Sequence, residues 1–160
     1  MGKLILISIL VPFVLTAAPR KRIELDSTTT KELLTIVNQS EALQKYMFDK
    51  KDPMVQTQIS QLKASIDKSI KIIEGQQAPH IVKMLHTINQ DLTNAQMANG
   101  DSKTKFLESA FKQIVTLYQS YKIDAPYKVF FCHIDRSVWI QQGNKPQNPF
   151  NEGNCGRPVN

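Results

Sequence analysis

Cysteine is almost missing from this chain: there is none before position 132 and two in all, Cys132 and Cys155. Paired Cys-x-x-Cys knuckles, the spacing of a structural zinc site, are therefore excluded. Glycine and proline are equally sparse between residues 28 and 122, where only Pro53, Gly75, Pro79 and Gly100 occur. Each falls at the end of an apolar run and none inside one, so this region reads as long uninterrupted helices. No apolar run reaches the roughly 20 residues of a membrane-spanning helix. The nearest approach, Leu4 to Leu15, is shorter and contains Pro12.

What is present begins with that stretch. Lys3, the apolar run, and then Thr16-Ala17-Ala18 follow the charged, apolar and small-residue order of a secretion signal. Residues 1–18 are accordingly expected to direct export, leaving a periplasmic or secreted mature chain with no membrane span. Pro19 directly after Ala18 would hinder a peptidase there, which leaves the cleavage point open. No Cys follows the apolar run, which argues against a lipid anchor. The net charge of +6 invites nucleic acid or anionic lipid as a partner. Much of it comes from Lys3 and Arg20-Lys21-Arg22, and the remaining lysines alternate with carboxylates. Neither partner is expected, and residues 19–27 read as a basic flexible segment.

Thr29-Thr30-Lys31-Glu32 has the form of a capping box and opens a run with Leu33, Ile36, Val37, Leu43 and Met47, predicting a helix over about 28–49. Asp52-Pro53 then reads as an N-cap followed by proline at the first helical position. Behind it Val55, Ile59, Leu62, Ile66, Ile70 and Ile73 recur at helical spacing until Gly75. Pro79 starts a third run with Val82, Leu85, Ile88, Leu92 and Ala95, broken at Asn99-Gly100-Asp101. A fourth, from Ser102 to about Lys122, carries Leu107, Ala110, Phe111, Ile114, Leu117, Tyr118 and Tyr121. Four such helices with short turns predict an up-down bundle over residues 28–122. The polar faces hold no catalytic constellation and read as solvated surface.

After Pro126 the pattern changes. Tyr127–Phe131 and Ser137–Gln141 have strand character, and Gly143, Pro146, Pro149, Gly153, Gly156 and Pro158 punctuate the rest. The expectation is a mainly α fold, with a small β-hairpin and irregular tail over residues 123–160 packed on the bundle, and Trp139 covering apolar surface where hairpin meets helices.

Two chemistries are open to the cysteines. A disulfide would close a loop across 23 positions and stabilise by about 3 kcal/mol on the chain-entropy model. Alternatively, both remain thiols and act with His133 as soft ligands for copper or zinc. His80 and Met84, four apart on one helix face, are further soft donors, whereas His86 points elsewhere. A thiol enzyme is not expected, because Cys132 and His133 are adjacent and a strand sends neighbours to opposite faces.

The string Cys132-His133-Ile134, Trp139-Ile140, Asn148-Pro149-Phe150, Gly153 and Cys155-Gly156 resembles the family called domain of unknown function 3347. That family's pattern is Cys-Pro-Met, Trp-Leu, Asn-Pro-Tyr-x-Gly, Met and Cys-Gly after a helical region. Lys105-Phe106 to Tyr118 and His80 are similar to its preceding stretch. Its members are exported bacterial domains often fused to heavy-metal efflux adaptors. The resemblance implies a periplasmic, non-enzymatic helical domain binding copper or another heavy metal, with Cys132, Cys155 and His80 as the matching residues. His133 and Ile134 stand where the family has proline and methionine, and the second methionine is missing. Those departures equally suit a disulfide-stapled module that binds an envelope protein and no metal.

Overall fold

The computed structural model describes residues 21–76, 78–151 and 155–159. The expected signal segment 1–18, Pro19, Arg20 and Gly153 lie outside them. Four helices come first: α1 (Ser27–Phe48), α2 (Asp52–Glu74), α3 (Pro79–Met97) and α4 (Gly100–Ser120). Each packs on its neighbour in sequence, and α1 also meets α4, so the four close an up-down bundle.

The apolar stripes account for this. Leu33, Ile36, Val37 and Leu43 of α1, the six expected residues of α2, and the seven from Leu107 to Tyr121 are all buried in one core. On α3 the expected Val82 is half-buried and packs against this core, and Ile81 beside it is fully buried. Ile81, Leu85, Ile88, Leu92 and Ala95 keep spacings of three and four, and the helix turns that row toward α2 and α4.

The start of α1 also differs from expectation. Its N-cap is Asp26, whose carboxylate accepts the Thr29 N–H at 2.8 Å. The Thr29–Glu32 capping box does not form, because α1 begins at Ser27 and leaves Thr29 inside the helix, and Glu32 accepts a hydrogen bond from Ser69 of α2. Ahead of it, the described part of the segment expected to be flexible is docked on the end of α4. The Ile23 N–H donates to the Ser120 carbonyl, the Ile23 carbonyl accepts from Lys122, and Arg22 lies over the Tyr118 ring.

The C-terminal residues form a three-stranded antiparallel sheet in the order β2-β1-β3, from β1 (Tyr127–Phe131), β2 (Val138–Gln142) and β3 (Arg157–Val159). The first two are the expected hairpin, with Val129 opposite Ile140 and Phe130 opposite Trp139. The third comes from the tail, where only irregular structure was expected.

Alternation along the strands divides the sheet's side chains. Tyr127, Val129 and Ile140 face the helices and join the main core, whereas Phe130, Cys132 and Trp139 face outward and form a second, smaller core. Trp139 therefore packs under the tail and not against the helices as expected, since its paired residue Phe130 is on that same outer face. The sheet is a middle layer, with helices below and tail above.

Replacing Asp26 by Ala should lower the Tm by a few degrees at neutral pH. Hydrogen bonds from Thr29 hold the Asp26 carboxyl below its ordinary 3.8. A depressed carboxyl stabilises above its unfolded value and ceases to as it protonates. The gap between the two proteins should thus close as the pH falls below 3.8, measured by thermal melts across an acid series.

Candidate functional site

The candidate site is the outer core and the turn beside it. Cys132 directly follows β1 and Cys155 precedes β3, so the antiparallel pairing of Phe131 with Arg157 brings the two cysteine Cα atoms to 5.3 Å, and they are joined as a disulfide. Cys132 is fully buried, and the ring of Phe130 stacks on the Trp139 indole with centroids 5.6 Å apart. Gly156 follows the staple directly. A Cβ there would come within 2.5 Å of the Trp139 ring, so the tail can cross the indole only because this residue is glycine.

Two polar side chains organise the loops around this core. Gln141 is buried and its Oε1 accepts both the Trp139 indole N–H, at 2.7 Å, and the Gln147 backbone N–H, at 2.8 Å. Its amide nitrogen donates to the Lys145 carbonyl, so one side chain holds the turn after β2. Asn148, also buried, donates to Asp135 and accepts the Phe150 N–H. Asp135 in turn accepts from the Ser137 N–H and hydroxyl. Burial would raise the Asp135 carboxyl, yet the hydrogen bonds from Ser137, Asn148 and Asn151 outweigh it and hold the group below its ordinary 3.8. Burial, and after it the nearby Asp135 carboxylate, pushes Glu108 of α4 upward.

Among the described residues, one set of side chains has the grouping of a metal site: Cys132, Asp135 and Cys155, whose donor atoms lie within 4.8 Å of one another. The two cysteines expected from the sequence are thus brought together, and the two histidines are not in the set. His133 is exposed in the turn after Cys132. His80, exposed at the start of α3, packs on Tyr121 with ring centroids 5.8 Å apart. Tyr121 is thirteen residues beyond Glu108 on α4, and at about 1.5 Å per residue that places His80 roughly 20 Å along the helix from the Asp135 end. Met84 packs against the core, and His86 is exposed. Asp135 is the member that sequence reading missed; its only signal was the Asp-x-Ser spacing, which marks a turn before it marks a ligand.

Replacing Gly156 by Ala should cost about 1 to 3 kcal/mol of stability, since the indole has no space to yield; chemical denaturation followed by Trp139 fluorescence reads it. Replacing Asp135 by Asn should cost about 1 kcal/mol at neutral pH, because one acceptor of the Asn148 amide becomes a donor. A depressed carboxyl stabilises above its unfolded value, so the acid loss seen in the unaltered protein as pH falls below 3.8 should be weaker in D135N. Compared with known proteins, the chain matches no family, no curated protein and no solved structure.

Proposed function

We propose that this chain is an exported, non-enzymatic binding module of the cell envelope in which Cys132 and Cys155 serve as a structural staple. The observation that carries this reading is the disulfide itself, with Cys132 fully buried against Phe130 and Trp139 and the half-buried Cys155 just ahead of β3. Its sulfurs are bonded to each other and offer no thiolate to a metal or a substrate. The neighbouring polar groups are engaged in holding turns, and nothing in their arrangement pairs a nucleophile with a base. Export is supported by the signal-like order of residues 1–18 and by the persistence of disulfides outside the cytoplasm.

A second reading, a soft-metal site, rests on the Cys132, Asp135 and Cys155 grouping and on the resemblance to exported metal-efflux domains. It requires reduction, after which the donors are two thiolates and a carboxylate. That set fits the group poorly, because both Asp135 oxygens already accept hydrogen bonds from Ser137 and Asn148 and the histidines stand apart. Copper or zinc therefore enters no step here.

Protein prepared from the cell envelope without reductant should have the intact mass of the disulfide form, lighter by two hydrogens than the dithiol, with no reactive thiol and no bound copper or zinc. Free thiols with a metal ion per chain would overturn the staple reading in favour of the metal one. Replacing Cys132 by Ser should lower stability by about 3 kcal/mol, given the sequence separation of 23.

A further inference from the structure

Between α1 and the edge of β2 lies a cleft of about 380 Å³ lined mostly by polar residues, with Ala42 of α1 and the buried Trp139 and Ile140 of β2 completing the lining. Its walls are held in place. Gln44 accepts the Ile140 N–H at 3.2 Å and donates to Ser40 at 3.1 Å, while Glu41 accepts the Gln142 N–H at 2.7 Å. The Tyr127 hydroxyl donates to Asn38 at 2.6 Å and lies beside the Glu41 carboxylate. Glu41 is thus fixed by the strand edge and lines the cleft. Lys45, four residues on, lines the same cleft from the same helix face. Four apart with the acid first is the favoured order for an ion pair, yet among the described residues no ion pair joins Glu41 to Lys45.

The cleft therefore presents one held carboxylate, Glu41, and one lysine, the exposed Lys45, from the same helix face and not paired with each other, with amide side chains among the other lining residues. A ligand complementary to this has a cation and an anion on one small frame, with hydrogen-bonding groups besides. A neutral sugar would leave both charges unanswered. It would also lack an aromatic platform, because Trp139 is fully buried.

We propose that this cleft binds a small zwitterion of the free α-amino acid class, its ammonium on Glu41 and its carboxylate on Lys45, with Asn38 and Gln147 toward its side chain. Neither cysteine lines the cleft, and the ligand titration and the thiol measurement have separate readouts, so either reading can fail without the other.

The test is a titration of the full chain with a panel of free L-amino acids, with glucose as the uncharged control, followed by NMR at the Ile140 and Gln142 amides and the Trp139 indole. At least one amino acid should shift these signals saturably and glucose should not. Glu41→Gln retains an acceptor for the Gln142 N–H, and Lys45→Met retains the stem, so both variants should melt like the parent. Each should weaken binding by roughly tenfold or more, the loss expected for one charged hydrogen bond. The absence of a saturable shift with every amino acid, unchanged affinity in both variants, or binding of glucose with equal effect would each overturn the proposal.

Discussion

The C-terminal third of the molecule depends on one covalent constraint, the bond between Cys132 and Cys155. Without it, β3 would be a three-residue strand with little apolar surface to hold it, far below what a short strand needs to stay paired. With it, the chain is delivered to the free side of β1 only two residues before the pairing begins. The tail then covers Phe130 and Trp139, and an outer sheet face that would otherwise expose two large rings becomes a small core. The pieces support one another: the staple places Gly156 on the indole, the indole is oriented by Gln141, and Gln141 fixes the loop that returns toward Asn148.

The sheet's edges show a related economy. Along β2 the Ile140 and Gln142 N–H groups point away from β1, and α1 meets them with Gln44 and Glu41. Exposed ladder groups are a standing invitation to pair with another chain, and here a helix closes one side. On the other side, Cys132 donates toward β2, so by ladder alternation Val129 and Phe131 face β3. Pro158 then turns its nitrogen to the open edge, where it has no N–H to offer. The contacts that protect β2 are also those that hold the cleft walls, so a structural necessity leaves behind a preformed polar recess.

For function, the consequence is a division between two sites. The cysteine region, which draws attention in the sequence, is occupied with holding the fold: its sulfurs are bonded and its carboxylate and amide close turns. The α1 and β2 region, which looks like ordinary helix surface when read along the chain, holds Glu41 against the strand edge with Lys45 on the same cleft, and among the described residues no ion pair joins the two. A group already held in place, as Glu41 is by the Gln142 N–H, loses little freedom if a ligand arrives.

The bundle was legible in the sequence because helix formation depends on local matters: the three-and-four spacing of Ile59, Leu62 and Ile66, the prolines at 53 and 79, and the breaks at Gly75 and Gly100 all act within a turn or two. The hairpin was legible for the same reason. What only the tertiary structure decided was whatever depends on a partner remote in the chain. Glu32 is engaged by Ser69 of α2, and Ile81 is buried more deeply than Val82 because α3 packs against both α2 and α4. Trp139 faces the tail and not the helices because strand pairing places it with Phe130. The candidate site divides in the same way. That Cys132 and Cys155 act together could be read from there being only two of them, whereas their joining as a disulfide, the loss of His80 from that group, the arrival of Asp135, and the recess between Glu41 and Lys45 arise from how helix, sheet and tail lie against each other, which no local spacing encodes.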